Sequence, residues 1–163
     1  MSELIDSALK ERALQDRRKN NIVIFKCPED ASLPLEQRQQ REITLFSQIC
    51  HAINVPQLET ARYARAGPIT ENEIRPLKVT LTNEADKYLM LKNAKKLKDD
   101  HALSNISLAP DYTPAQQAKR KALVTELRQR KSAGETNLVI RREQIVQINQ
   151  GNEQVAATAQ DFH

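Results

Sequence analysis

The chain has 163 residues and a net charge of +4, with 39% hydrophobic residues but only 4% aromatic residues. This length allows one domain of ordinary size with additional segments, and the absence of tryptophan requires a mainly aliphatic core. Net charge is uneven: −1 over residues 1–60, +8 over residues 61–142 and −3 over residues 143–163. This basic block favours a polyanionic partner, nucleic acid first and an anionic membrane surface second. The competing interpretation is a solvated lysine surface without a ligand.

The sequence contains no pattern typical of an enzyme. Cys27 and Cys50 have no CxxC spacing and no neighbouring histidine pair, so they predict neither a zinc site nor a disulfide. We expect two buried thiols instead. No phosphate-binding glycine motif occurs, and no apolar run reaches the roughly 18–20 residues of a membrane span. We therefore expect a non-enzymatic, soluble, intracellular protein without a cofactor, metal or signal peptide.

The first half of the chain predicts two helices and two strands. A helix over residues 2–18 carries an apolar face about two heptads long. A β-branched strand, residues 22–27, stops at a proline. A helix over residues 35–54 follows, with apolar side chains at helical spacing: Ile43, Phe46, Cys50 and Ile53. Residues 58–65 predict a second strand.

The next elements complete a recognisable order. Leu77, Val79 and Leu81 alternate with polar residues and predict a half-exposed strand. A helix capped by Asn83 runs to about residue 97, and residues 105–108 predict a fourth strand. This βαββαβ order is that of the ferredoxin-like fold, an antiparallel sheet with two helices on one face. RNA-recognition motifs are its best-known binding version.

A second basic region predicts a helix and a hairpin. Thr113, Pro114 and Gln116 form a strong helix start, and the helix ends near Gly134. A β-hairpin turns through residues 141–144. The predicted α+β organisation has an N-terminal helix, an RNA-recognition-motif-like domain, a truncated C-terminal domain of helix plus hairpin, and a disordered tail: residues 1–20, 21–110, 111–148 and 149–163.

The basic side chains allow two interpretations. On the helix 114–133, Arg120 projects beside the apolar stripe, which suits either bidentate phosphate contact or a snorkelling side chain without a ligand. The lysines of residues 92–98 could grip a sugar–phosphate backbone or form a solvated helix face. Only Phe25 and Tyr63 could stack bases, because the third strand lacks the aromatic residues of an RNA-recognition motif. Any affinity should therefore be mostly electrostatic.

Five segments, in this order, resemble the RNA-binding protein encoded by the first reading frame of LINE-type (non-LTR) retrotransposons. They are Arg17-Arg-Lys-Asn-Asn-Ile-Val-Ile-Phe, Arg75-Pro-Leu-Lys-Val, Leu91-Lys-Asn-Ala-Lys, Asp111-Tyr-Thr-Pro and Asn137-Leu-Val-Ile-Arg-Arg. The resemblance covers roughly residues 15–148. It implies a trimerising coiled coil, an RNA-recognition-like domain and a small C-terminal domain that coat single-stranded RNA and act as a nucleic-acid chaperone. Gln117-Ala-Lys-Arg120 is similar to the family's Gln-Ala-Arg-Arg segment, whose arginines contact RNA.

The predicted partner is single-stranded RNA, or also single-stranded DNA, in a cleft between the sheet and the helix 114–133. We expect a cytoplasmic ribonucleoprotein, or a nuclear one, with homo-oligomerisation through the N-terminal helix and no membrane. The predicted nucleic-acid-binding residues are Arg17, Arg18, Arg62, Arg65, Lys78, Lys92, Lys95, Lys96, Lys119, Arg120, Lys121, Arg128 and Arg141.

Two departures from the family matter: the coiled coil is short and the C-terminal domain stops early. They suggest a fragment, or a degenerate or host-adopted copy. Two alternatives remain open at this point. One is a protein-interaction module of the same fold whose basic helix docks an acidic partner. The other is a non-catalytic fragment of a polyprotein that also carries endonuclease and reverse transcriptase.

Overall fold

The computed structural model describes residues 2–141 and 143–148, which fall into two compact units. The sheet unit is Lys19–Asp111, and the terminal unit joins Met1–Arg18 to Tyr112–His163. The first helix therefore belongs with the C-terminal segment, although the sequence presents them as separate regions. The tail predicted to be disordered, residues 149–163, lies outside the described residues, as does Arg142.

The described chain contains four α-helices, one 3₁₀ helix and six antiparallel strands. In order, the elements are α1 (Ser2–Arg18), β1 (Asn21–Phe25), α2 (Leu35–Ala52), β2 (Thr60–Arg65), β3 (Leu77–Leu81), α3 (Glu84–Asn93), a 3₁₀ helix (Ala94–Asp99), β4 (Ser107–Pro110), α4 (Pro114–Ser132), β5 (Leu138–Arg141) and β6 (Gln144–Gln147). Strands β1 to β4 form one antiparallel sheet in the order β2-β3-β1-β4, and β5 pairs with β6. This arrangement confirms the predicted α+β class.

Several predicted boundaries differ from the structure. Those of β1 (predicted over 22–27), α2 (predicted over 35–54) and β2 (predicted over 58–65) are shifted by one or two residues, whereas two later elements differ in form. The helix after β3 changes from α to 3₁₀ geometry at Ala94. The fourth strand begins at Ser107, because the preceding residues form a turn in which the Ile106 amide donates to the carbonyl of Leu103 at 3.0 Å. Ile106 is buried in this turn, so its apolar character reflects packing of a connection and not a strand position.

One face of the sheet carries the apolar core of the sheet unit. Pairing of β1 with β3 sets Ile22 opposite Val79 and Ile24 opposite Leu77, and all four side chains are fully buried. Helix α2 adds Phe46, whose ring meets that of Tyr63 edge-on, with centroids 5.9 Å apart. Helix α2 therefore packs on this core face of the sheet.

One predicted core residue of α2 faces solvent. Ile43 is 42% exposed, although its spacing places it on the same stripe as Phe46. In this turn of the helix the inward position is taken by Glu42, which accepts a hydrogen bond from Arg65 at 3.0 Å. A buried ion pair therefore replaces the expected aliphatic contact.

The second face of the sheet is mixed in character. Alternation along the strands places Val23 and Phe25 on this face, together with Lys78 of β3 and Arg62 of β2. Val23 is buried, whereas Phe25 is 39% exposed and Arg62 is exposed. This face holds most of the predicted binding residues that the sheet itself supplies.

The terminal unit combines polar contacts between its helices with a small apolar cluster at its hairpin. Helix α4 begins with the predicted capping box, in which Thr113 accepts from the Gln116 amide at 3.1 Å and the Gln116 side chain accepts from the Thr113 amide at 3.0 Å. The Thr113 hydroxyl also donates to Glu11 of α1. At the other end, Gly134 adopts a left-handed φ of 103°, which ends the helix. Helix α4 then packs on the β5–β6 hairpin, where Leu138 and Ile140 are buried.

Candidate functional site

A polar network lies on the second face of the sheet. Lys78 Nζ lies 3.4 Å from Asp111 Oδ1, and Asn21 Nδ2 donates to Asp111 Oδ2 at 2.9 Å. Thr80 Oγ1 in turn donates to Asn21 Oδ1 at 2.8 Å. The positive charge of Lys78 is therefore offset by a buried carboxylate, which weakens its attraction for any other anion.

The two predicted arginines of β2 have different roles. Arg65 is nearly buried on the core face and donates to Glu42 and to the backbone carbonyls of Cys27 and Arg75, the last two at 2.9 Å. Its guanidinium ties α2, the end of β1 and the β2–β3 connection together. Arg62, three residues earlier, is exposed on the second face and forms no ion pair with a described residue. Only Arg62 is placed to meet a ligand there.

The aromatic residues of the sheet are also divided between its faces. Tyr63 lies opposite Val79 on the core face, and burial raises the pKa of its hydroxyl. Phe25 is the only aromatic residue that β1 to β4 contribute to the second face. One partly exposed ring offers much less stacking surface than an RNA-recognition motif uses.

Four lysines project from the end of α3 and the 3₁₀ helix. The lysine segment consists of Lys92, Lys95, Lys96 and Lys98. Lys96 is half-buried and the others are exposed, and none forms an ion pair with the residues that the structure describes. Because 3₁₀ geometry aligns positions three residues apart, Lys95 and Lys98 share one face. The lysine segment is thus a compact positive strip.

A further lysine, Lys87 of α3, is buried although sequence reasoning did not single it out. It is only 7% exposed, its Nζ lies 4.7 Å from the centroid of the Tyr88 ring, and burial lowers its pKa. Its spacing from Met90 and Leu91, three and four residues ahead, places it on the buried side of the helix and could have revealed this.

In the terminal unit two predicted arginines meet at one tyrosine. The Arg120 guanidinium lies over the Tyr112 ring, 4.9 Å from its centroid. Arg18 Nη1 donates to the Tyr112 carbonyl at 3.0 Å, and Gln117 Nε2 donates to the same carbonyl at 3.2 Å. Burial raises the pKa of the Tyr112 hydroxyl, with a contribution from Glu143 that Arg120 opposes. These residues, Arg18, Tyr112, Gln117 and Arg120, form the Tyr112 cluster.

The remaining predicted residues of the terminal unit differ in exposure and pairing. Lys119 forms an exposed ion pair with Glu143 of the hairpin turn at 2.8 Å. Arg141 is half-buried on β5. Three residues are exposed and form no ion pair with a described residue: Arg17, Lys121 and Arg128. The surface of α4 therefore combines paired and unpaired cations.

Both cysteines belong to the buried part of the sheet unit. Both are free and buried, as predicted, and burial raises the pKa of each thiol. Within residues 2–141 and 143–148, no three His, Cys, Asp or Glu side chains are grouped so that they could hold a metal ion. Over the same part of the chain, no helix has the length and apolar character to cross a membrane.

Compared with known proteins, the chain matches no protein-family model and no curated protein sequence.

Proposed function

We propose that the chain binds single-stranded RNA with low sequence selectivity and acts by binding alone, in the manner of the first-reading-frame protein of LINE-type retrotransposons. The observation that carries this proposal is a set of cations that no described carboxylate neutralises. They are Arg17, Arg62, Lys92, Lys95, Lys96, Lys121 and Arg128. Such charges can displace the counterions of a polyanion without first breaking an ion pair within the protein.

The architecture of the sheet unit supports the same proposal. Its βαββαβ order, with strands arranged β2-β3-β1-β4, is what a ferredoxin-like domain of the RNA-recognition-motif type requires. In such domains the second face of the sheet carries the nucleic acid. Here that face presents Arg62, Lys78 and one partly exposed ring, Phe25. This composition favours backbone contact over base reading, and single-stranded DNA should bind by the same contacts.

Salt-dependent RNA binding tests the proposal directly. We expect a fluorescein-labelled 20-nucleotide RNA to bind with a log K that falls linearly with the logarithm of the salt concentration. For each phosphate neutralised, log K should fall by about 0.7 for every tenfold rise in salt. Six such contacts would lower the affinity about 300-fold between 50 and 200 mM salt. Fluorescence anisotropy titrations at four salt concentrations measure the slope. An affinity that hardly changes over this range would contradict the proposal.

A matched pair of variants localises the effect. Replacing Lys92 and Lys95 with Ala removes two exposed cations and should weaken binding of all RNA sequences alike. Replacing Lys10 and Arg12 with Ala also removes two exposed cations, but ones outside the proposed interface. We expect the first variant to reduce the salt slope and the second to leave it unchanged. Equal effects of the two variants would mean that only net charge matters.

A second candidate function is self-association through α1. Leu4, Ile5 and Leu9 are exposed by 76%, 59% and 61%, and no residue of the helix is buried. Apolar side chains at this spacing suit a short helical bundle between copies of the chain. Leu4→Glu combined with Leu9→Glu should convert an oligomer to a monomer in light scattering. A monomeric wild-type chain would remove this candidate without affecting RNA binding.

A further inference from the structure

Tyr112 connects two arginines that lie far apart in the sequence. Arg18 ends α1 and Arg120 lies in the second turn of α4, yet both contact this one residue. The contacts use different parts of Tyr112. Arg120 covers the aromatic ring, whereas Arg18 donates to the main-chain carbonyl. A substitution of the Tyr112 side chain should therefore act on Arg120 and spare Arg18.

Contact with a ring changes what a guanidinium can do. A guanidinium held over an aromatic ring by a cation–π contact is limited in its motion and keeps its N–H donors in a more defined orientation. Bidentate phosphate contact needs that orientation, and an arginine held in advance loses less rotational freedom on binding. The half-buried Tyr112 provides this support within the terminal unit.

We propose that Tyr112 is a positioning residue that holds the Arg120 guanidinium for contact with a phosphate of single-stranded nucleic acid. This inference rests on the proposed function. It adds an uncharged residue that is not among the predicted nucleic-acid-binding residues. The hydroxyl of Tyr112 takes no part in the contacts with Arg18, Gln117 and Arg120. Phenylalanine should therefore replace tyrosine at this position, whereas an aliphatic side chain should not.

The test is a double-mutant cycle read by the anisotropy titration of a labelled 20-nucleotide oligouridine. Tyr112→Leu keeps an apolar side chain but removes the ring, and we expect it to lower the affinity about three- to tenfold and to reduce the salt slope by about 0.7. Tyr112→Phe should stay within about twofold of the wild type. Combined with Arg120→Ala, Tyr112→Leu should cause no further loss. Combined with Arg18→Ala, its effect should be multiplicative, because Arg18 uses the carbonyl.

A purely structural role of Tyr112 predicts a different result. It would lower the melting temperature of Tyr112→Leu but leave the salt slope of the folded protein unchanged. Arg120→Lys provides a second measurement that does not alter Tyr112. If the oriented fork matters, this variant should bind as weakly as Arg120→Ala; if charge alone matters, it should bind like the wild type.

The outcomes separate the two proposals. If the wild-type chain shows no salt-dependent binding, the proposed function fails and the role of Tyr112 fails with it. If the wild type binds but Tyr112→Leu retains both affinity and slope, only the role of Tyr112 is overturned. Wild-type affinity of Arg120→Lys, or a multiplicative effect of Tyr112→Leu and Arg120→Ala, would overturn it as well.

Discussion

The two units of this chain are stabilised in different ways. The sheet unit has an apolar core in which Ile22, Phe46 and Val79 are fully buried. In the terminal unit neither α1 nor α4 buries a residue, and the junction between these helices is made by Thr113 with Glu11 and by Arg18 with Tyr112. The sheet unit should therefore keep its shape under changes of salt and pH that loosen the terminal unit.

The same contrast separates two arginines that are both among the predicted nucleic-acid-binding residues. Arg65 lies within the sheet unit, where its donors meet a carboxylate and several carbonyls. Arg120 lies half-buried on the Tyr112 ring. A guanidinium paired inside a folded unit stabilises that unit, whereas one held over a ring is oriented by that ring.

The largest effect should come from the core of the sheet unit. Phe46→Ala removes a fully buried ring that contacts Tyr63, so we expect the free energy of unfolding to fall by about 3–5 kcal/mol. Urea unfolding followed by circular dichroism measures it. Ile43→Ala on the same helix is the control, and we expect it to cost less than about 1 kcal/mol because Ile43 is well exposed. Similar losses in both variants would contradict a core restricted to one side of α2.

The next effect concerns the buried ion pair of the same unit. Arg65→Ala leaves the Glu42 carboxylate buried without its partner, so we expect a loss of about 3 kcal/mol in the free energy of unfolding. Arg62→Ala, on the other face of the same strand, should change stability by less than about 0.5 kcal/mol.

RNA affinity should show the opposite order for these two residues. Arg62→Ala should weaken binding, and Arg65→Ala should leave binding unchanged under conditions where the variant is folded. The anisotropy titration distinguishes them. Weaker RNA binding by folded Arg65→Ala, together with unchanged stability, would mean that Arg65 binds RNA and does not stabilise the sheet unit.

A smaller effect is expected at the start of α4. Thr113→Ala removes the helix cap and the hydroxyl that donates to Glu11, so we expect the terminal unit to lose about 1 kcal/mol. Hydrogen exchange of the α4 amides measures this loss, and the β1 and β3 amides of the sheet unit should remain as protected as before. Thr113→Ser keeps the hydroxyl and serves as the control. Equal loss of protection in both units would show that they unfold together.

The smallest effect should be a loss of stability of the terminal unit at acidic pH. Hydrogen bonds from Thr113 and Gln15 lower the pKa of Glu11, so its ionised form is favoured in the folded state. The resulting stability is present above the unfolded pKa of about 4.3 and is lost as pH falls through the lower folded value. We expect the amide NMR signals around Thr113 to shift in this range. In Glu11→Gln the acid-dependent part of that shift should disappear; an unchanged titration would rule out Glu11 as its source.

The sequence was sufficient for local structure. Alternation of Leu77, Val79 and Leu81 with polar residues located β3, and the Thr113 capping box located the start of α4. Helical spacing also placed Arg120 beside the apolar stripe of its helix, where the structure finds it half-buried. These features depend on neighbours within a few residues, and RNA binding remains a prediction that they support.

The sequence could not specify contacts between residues that lie far apart in the chain. Arg65 faces inward because Glu42, Cys27 and Arg75 surround it, and these partners lie 10 to 38 positions away.

Tyr112 acquires its place in the same way, from α1 on one side and α4 on the other. Periodicity assigns a side chain to a face of its own element, whereas only the folded chain brings in the groups that neutralise, bury or orient its charge. The sequence by itself therefore determined the order of elements and the basic character of this protein. Tertiary structure decided which of its cations are paired inside a folded unit and which are exposed to solvent.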